Sequence, residues 1–296
     1  MSQSHLAWLL VTKHSNVYKR QRFLEEAPAL GIDLREVDPS DFYVVSKSGA
    51  NLLFSKQTDT PLQKSELPAF VISLAVVEQK DSTAFRLIEH LEYMGIPTLN
   101  SVTGTKMAND KMASYQVAAK TNLLLPQTML VLQDAPLEKP DFLQFPLVIK
   151  PNQGLKGKGV ELLKDHTDLT RYAHEHATHE PLILQEAIMT SAGRDVRLLV
   201  LGDHVLGALE RKSDETFTSN VATGGTGSTV SVPETIQKAA CTLARALDLS
   251  FCSVDFLYGE NSLIFCEINA GPGFAMFEKT TKINVANEVL SYLKNR

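Results

Sequence analysis

Two apolar runs near the end of the chain, Val254-Asp-Phe-Leu-Tyr258 and Leu263-Ile-Phe-Cys-Glu-Ile-Asn269, are separated only by Gly259-Glu-Asn-Ser262. β-Branched and aromatic residues on either side of a short polar stretch that begins with glycine specify a β-hairpin. Side chains alternate faces along a strand, so Glu267 and Asn269 point the same way. Pairing about the turn brings Asp255 across from the Glu267 end of the second strand. Carboxylates in otherwise apolar strands need a counter-charge, and a hard divalent cation held by oxygen ligands supplies one. Solvated acidic positions on an open sheet face fit the same pattern, so the hairpin alone leaves both readings open.

Overall charge narrows the partners. The 296 residues carry a formal net charge of −5 with 44% hydrophobic and 21% charged residues, ordinary for a soluble globular chain and unfavourable for general nucleic-acid affinity. Cys241, Cys252 and Cys266 lack metal-binding spacing, and two of them lie in apolar strand-like runs, which reads as buried reduced thiols in a cytoplasmic protein. The start, Met1 to Val11, has no basic region and too short an apolar stretch for a signal peptide, and no segment approaches membrane-spanning length, so no membrane partner is expected.

Hydrophobic periodicity then divides the chain. Leu6-Ala-Trp-Leu-Leu-Val11 reads as a buried parallel strand, the amphipathic stretch from Tyr18 to Leu30 as a helix ending at Gly31, and Ile32 to Val37 as a second strand. Ala69 to Ser73, a helix from about Ser82 to Met94 and Gly95 to Leu99 continue the alternation, so residues 1–102 form a small α/β domain. Thr12-Lys-His-Ser-Asn16 stands where a glycine fingerprint would follow the first strand, which disfavours dinucleotide binding there and leaves His14 and Lys19 as solvated loop positions or ligand-facing ones. Beyond it, a helix is expected over Asp110 to Thr121 and strands over Leu123 to Val131, Phe145 to Lys150, Leu182 to Gln185, Asp195 to Val200 and His204 to Glu210. Helices over Glu234 to Leu247 and Lys282 to Asn295 complete the reading.

A second chemical signal lies at Lys150-Pro-Asn-Gln-Gly-Leu-Lys-Gly-Lys-Gly-Val160. Gly154, Gly157 and Gly159 allow backbone amides close to anionic oxygens, and Lys150, Lys156 and Lys158 add charge. The spacing matches neither the P-loop nor the dinucleotide motif, and an exposed Gly/Lys-rich turn would look the same. Paired with the carboxylate-Asn hairpin, it points to a nucleotide enzyme.

The ordered set Asn109-Asp-Lys111, Phe145 to Lys150, the glycine loop, Leu184-Gln-Glu186, Gly193-Arg-Asp-Val-Arg197, Glu210-Arg211, Ser219-Asn220 with Gly224-Gly225, Asp255 and Glu267-Ile-Asn269 resembles the ATP-grasp superfamily. Within it the nearest likeness is to the RimK-type glutamate ligases that modify a ribosomal protein. It covers about residues 100–296, including Glu278-Lys-Thr-Thr281, and is only architectural before that. The resemblance implies an α+β ATP-grasp fold: an N-terminal Rossmann-like domain (1–102), a central subdomain with the glycine loop (103–187) and a C-terminal subdomain with the metal site (188–296). It implies that Lys111 and Lys150 hold the α- and β-phosphates, that the loop of Gly154, Gly157 and Gly159 closes over them, and that Gln185, Glu186, Ala187 and Ile188 line the adenine pocket with Asp195 nearby. Asp255, Glu267 and Asn269 would bind two magnesium ions (Mg2+), replaceable by manganese, that bridge the β- and γ-phosphates of ATP. Arg211 is the candidate for stabilising the transferring group, Arg197 the second, with Asn220 donating to the γ-phosphate.

Such enzymes join a carboxylate acceptor to an amino acid through an acyl phosphate, and related ligases often form dimers or tetramers, which leaves a homo-oligomer open here. One departure bears on substrate: family members carry basic residues around the Ser-Asn pair, where this chain has Thr218 and Ala222-Thr223. That weakens the case for extending an acidic protein tail and favours a smaller or less acidic acceptor. Kinase-like carboxylate phosphorylation without an amine, and a nucleotide-binding regulatory protein without turnover, stay as alternatives.

Overall fold

A computed structural model describes residues 5–74, 83–132, 135–154, 159–176, 180–213 and 226–296. The chain divides into two units, Met1–Thr105 with Asp248–Phe251 and Gly271–Arg296, and Lys106–Leu247 with Cys252–Ala270. Each is built around its own buried apolar layer.

In the first unit the strand His5–Leu10 lies between Ile32–Val37 and Val71–Ser73, and Thr98–Leu99 completes a parallel sheet among the described residues. A strand flanked on both sides must be apolar throughout, which is why Ala7, Trp8, Leu9 and Leu10 are all buried. The first helix, Val17–Glu26, starts where the Asn16 side chain accepts from the Lys19 amide at 2.9 Å. It ends before Pro28, and Gly31 turns the chain at φ +67° into the next strand. Helix Thr83–Tyr93 packs Phe85, Leu87, Ile88 and Leu91 onto the sheet beside Trp8 and Val71.

Two features of this unit were not legible from periodicity. Phe42–Lys47, Ala50–Ser55 and Thr60–Pro61 form a small antiparallel sheet whose Leu53 is buried in the same core. The C-terminal segment returns to the unit: helix Val285–Lys294 lies against Val17–Glu26, and Arg22 donates to Glu25, Glu26, Glu278 and Asn284. Asn100 fastens residues 250–251, accepting from both their amides at 2.9 Å and donating to the Phe251 carbonyl.

The second unit holds two antiparallel layers. Glu161–Leu163, Leu147–Pro151, Leu182–Glu186 and Thr128–Val131 form one sheet in that order, covered by helix His166–Glu175 through Leu169 and Tyr172. Thr226–Thr229, His204–Lys212, Arg194–Leu201, Phe251–Tyr258 and Leu263–Asn269 form the other, and helix Glu234–Ala246 buries Ala240, Leu243 and Ala244 over its Arg194–Leu201 and His204–Lys212 strands.

Three of the expected elements that come out differently have a clear local reason. The helix expected over Asp110 to Thr121 is Lys111–Ala118, because Asp110 is an extended residue whose carboxylate caps it by accepting from the Ala113 amide at 2.9 Å; a separate helix, Val102–Asn109, precedes it. The strand expected from Leu123 shrinks to Thr128–Val131, since Pro126 cannot donate to a ladder. The helix expected from Lys282 to Asn295 begins at Val285, because Lys282 adopts φ +64° and closes a preceding helix, Ala275–Thr281.

Leu184 is fully buried at the centre of the first of these sheets, between Leu147, Ile149 and Tyr172 in one apolar cluster. Leu184→Ala is expected to destabilise the protein by about 2–5 kcal/mol, read as a lowered midpoint in urea denaturation with unchanged slope.

Candidate functional site

Strand register places the polar side chains of the five-stranded sheet on one face. Asp195 lies directly opposite Arg211, and Arg197 follows two residues later on the same side. On the hairpin, Asp255 pairs with Glu267 and Ser253 with Asn269. The cross-strand juxtaposition expected from the hairpin sequence is therefore present, since directly paired residues share a face.

These groups form a continuous hydrogen-bonded chain. Arg197 grips Asp255 with both ends of its guanidinium, Nε to Oδ1 at 2.8 Å and Nη2 to Oδ2 at 2.6 Å. Arg211 grips Asp195 in the same bidentate way and reaches Asp255 Oδ2 at 3.0 Å from Nη2. Asn269 Nδ2 donates to Glu267 Oε1 at 3.1 Å. Asp255 is only 1% exposed, and Asp195 and Arg211 are buried with it. Burial by itself would push the Asp255 carboxyl up, but Arg197 and then Arg211 outweigh it and hold the group below the usual carboxylate range. Burial likewise opposes the Arg211 charge, while Asp255 and Asp195 raise its pKa above the ordinary value. Arg211 thus pairs with these two aspartates, while neighbouring Glu210 binds Lys212 and the Tyr258 hydroxyl instead.

The strand Leu147–Pro151 and the helix Lys111–Ala118 contribute the lysines. Lys150 is 6% exposed, its Nζ donates to Gln185 Oε1 at 3.0 Å and sits 5.6 Å from the centre of the Tyr115 ring. Gln185 in turn donates to Thr128 Oγ1 at 2.7 Å, which fixes its carbonyl toward the lysine. Lys111, the first residue of its helix, reaches the Gly154 carbonyl at 3.3 Å, and Asn152 anchors that helix start by accepting from the Met112 amide. Gly154 and Gly159 bracket residues 155–158; at Gly159 φ is +72° and an added Cβ would stand 3.0 Å from Pro151 Cγ, so the position requires glycine.

The two sheets share one electrostatic environment. Burial would pull Lys150 down, yet Tyr115, Cys266 and Glu267 hold it above its ordinary value. Tyr115 and Cys266 are themselves pushed up by burial to about 12 and stay neutral near pH 7. Lys111 is lowered, first by burial and further by Lys150, with Glu267 working in the opposite sense. The Tyr115 hydroxyl donates to the Cys266 carbonyl at 2.6 Å, tying the lysine end of the site to the Glu267 strand.

Of the remaining sequence candidates, Glu186 is exposed and its carboxylate accepts from the Gln127 amide, the Ala187 amide donates to the Pro146 carbonyl, and Ile188 precedes a short helical turn at Met189–Ser191. Gly157, Lys156, Lys158, Ser219, Asn220, Gly224 and Gly225 lie outside the described residues. Tyr115, Asn152 and Ser253 were not picked out from the sequence: nothing in a lone Tyr, Asn or Ser within apolar surroundings marks it until the fold shows what it faces.

The donor set suits a hard divalent cation. Glu267 Oε2 and Asn269 Oδ1 accept no hydrogen bond from the described residues, and the Asp255 carboxylate stands beside them. Carboxylate and amide oxygens in this number, with no sulfur or imidazole, are ligands for magnesium or calcium rather than for zinc or copper.

An α/β first unit followed by two sheets presenting lysines on one and carboxylates with arginines on the other defines an ATP-grasp architecture. Residues 108–293 match the model of the RimK-like ATP-grasp domain, and the chain belongs to that family. A probable alpha-L-glutamate ligase of Legionella pneumophila (strain Corby) is 27% identical over 294 residues, covering 97% of this chain and 95% of the relative. A ribosomal protein bS6–L-glutamate ligase of Escherichia fergusonii is 28% identical over 296 residues, covering 96% and 94%. Among solved structures, the ATP-grasp ligase PsnB complexed with a phosphomimetic variant of its minimal precursor, Mg and ADP superposes with a TM-score of 0.70 at 16% identity, covering 99% of this chain and 98% of that one. A D-alanine–D-alanine ligase from Bacillus anthracis complexed with ATP superposes at 0.67 and 16% identity, covering 98% and 96%; likeness at this identity speaks for the fold. Among the described residues no helix is long and apolar enough to cross a membrane.

Breaking the buried charge chain has a signed pH consequence. Because the Asp255 pKa is lowered by folding, its contribution to stability is present above the unfolded carboxyl value of about 3.9 and is lost as pH falls through the lower folded value. Arg197→Met removes the larger of its two cationic partners and leaves burial to push the carboxyl up. A loss of about 3 kcal/mol at pH 7 is expected, narrowing at acid pH as the variant's carboxyl takes up a proton before the wild type's does. Chemical denaturation of both proteins across this range measures it.

Proposed function

We propose that this chain is an ADP-forming carboxylate–amine ligase that uses ATP and magnesium to attach an amino acid, glutamate before others, to a carboxylate acceptor. The observation that carries the reading is the shared electrostatic environment of Lys111, Lys150 and Glu267, with Asp255 paired across the hairpin from Glu267. Two ammonium groups opposite a carboxylate–amide cluster suit a polyphosphate that brings its own counter-ion.

Each residue then has a chemical task. Lys150, held in place by Gln185, and Lys111 at its helix start neutralise phosphate oxygens, and Gly154 and Gly159, which carry no side chain, leave room for the nucleotide to approach. Asp255, Glu267 and Asn269 are the residues that would hold two magnesium ions, which supply Lewis-acid polarisation of the phosphates. Arg211 and Arg197, positioned by Asp195 and Asp255, place fixed positive charge where negative charge accumulates. An oxygen of the acceptor carboxylate attacks the γ-phosphorus and ADP departs. The amine then attacks the acyl carbon, loses a proton and expels phosphate, leaving an amide.

The acceptor follows from the relatives only in outline. The bS6–L-glutamate ligase points to a protein carboxylate and the PsnB complex to a precursor, whereas the loss of basic residues at Thr218 and Ala222-Thr223 favours a less acidic acceptor than a glutamate-rich tail. Cys266 and Tyr115 stay neutral near pH 7 and serve as packing around Lys150 rather than as nucleophiles.

Phosphate release measured with ATP, magnesium and paired panels of amino acids and carboxylates is expected only when both substrates are present, with the product gaining the mass of one amide-linked amino acid. Glu267→Ala is expected to lower that release about 100-fold or more. Phosphate release that saturates with the carboxylate and ignores the amine would replace this reading with carboxylate phosphorylation.

A further inference from the structure

Ser253 stands on the same sheet face as the carboxylates. It pairs directly with Asn269, one cross-strand step from the Asp255–Glu267 pair, and its side chain shares their side of the hairpin. The ladder register shifts immediately after Asp255, the kind of bulge that re-aims side chains beside a functional site. Ser253 is fully buried, at 0% exposure, and among the described residues its Oγ is the buried side-chain polar atom that finds no hydrogen-bond partner.

Buried hydroxyls are nearly always paired, because taking one out of water without a partner is unfavourable. Alanine or glycine would fit such a strand position with no polar atom to strand. Neighbouring groups on this face are already committed: the Asp255 oxygens accept from Arg197 and Arg211, and the Asn269 amide donates to Glu267. What the hydroxyl lacks is an oxygen brought in from outside the chain.

We propose that Ser253 is a ligand-contacting residue whose hydroxyl hydrogen-bonds an oxygen of the magnesium–phosphate group held by Asp255, Glu267 and Asn269. This rests on the function proposed above and adds to it a contact made by this strand position. The contact requires the metal–phosphate group as a unit, so it separates magnesium-bound nucleotide from free nucleotide. It also predicts that the unliganded protein tolerates loss of the hydroxyl better than the liganded one does.

Calorimetric titration and thermal melting of the full chain test it, with wild type, Ser253→Ala and Ser253→Cys each titrated with ADP in the presence of magnesium and in the presence of a chelator. Without ligand, Ser253→Ala is expected to melt at or above the wild-type temperature, because a buried unpaired hydroxyl is gone. It is expected to bind magnesium–ADP about tenfold more weakly while binding metal-free ADP as wild type does. Ser253→Cys, nearly isosteric and a weak donor, should show the same selective loss and keeps the test decisive if the alanine variant folds poorly. Wild-type affinity for magnesium–ADP in both variants would overturn the proposal and assign the hydroxyl to a buried water; so would an equal loss with and without magnesium. Failure of the wild-type protein itself to bind magnesium–ADP would instead remove the proposed function.

Discussion

The second unit is organised around one buried anion. Asp255 sits on an inner strand of the five-stranded sheet with almost no access to water, and a carboxylate there persists only because two guanidiniums meet it. That requirement propagates. Arg211 must be oriented, which Asp195 does from the directly opposite strand position, and Arg197 must reach across from two residues further along the same strand. The alternation Asp195, Arg211, Asp255, Arg197 lays positive and negative groups side by side, so that none is left buried alone. A site of this kind is electrostatically prepared before any ligand arrives, and preorganised charge is the largest general source of transition-state stabilisation in transfer reactions.

The lysine end of the site is built on a different principle. Lys150 is desolvated, and the interactions that keep it charged come from a fixed amide oxygen, an aromatic face and a distant carboxylate rather than from a direct ion pair. A lysine that formed a tight salt bridge would have to break it to bind phosphate; one held by Gln185 and Tyr115 exchanges weaker contacts for stronger ones. Lys111 is placed through the start of its helix, where the Asp110 carboxylate accepts from the Ala113 amide and the Asn152 side-chain oxygen accepts from the Met112 amide. The two ends therefore differ in rigidity of charge: arginines locked to carboxylates at one, lysines free to exchange partners at the other.

Much of this was legible in the linear chain, and the reasons are local. The hairpin around Gly259 is readable because apolar and β-branched residues flank a short polar turn, and its register follows from period-two alternation, which sets Asp255 opposite Glu267. The first parallel strands were readable from unbroken apolar runs. The Phe42–Ser55 sheet was not, because its first strand is largely exposed, its second only half-buried, and neither carries strong alternation. Helix ends at Asp110 and Lys282 were misjudged because a capping carboxylate and a left-handed residue override periodicity at a single position.

The sequence by itself determined the inventory and order of chemical groups: two lysines, a glycine loop, a pair of arginines and a carboxylate–amide hairpin, each recognisable because spacing along a strand or helix dictates which residues share a face. Tertiary structure alone decided who partners whom. Arg211 could have paired with its neighbour Glu210 and instead pairs with Asp195 and Asp255; the Gln185 side chain accepts from Lys150; and Ser253 becomes conspicuous only once burial leaves its hydroxyl without a partner among the described residues. Pairing of this sort depends on strands distant in sequence meeting in one sheet and on how deeply they are buried, and neither quantity is carried by any local stretch of the chain.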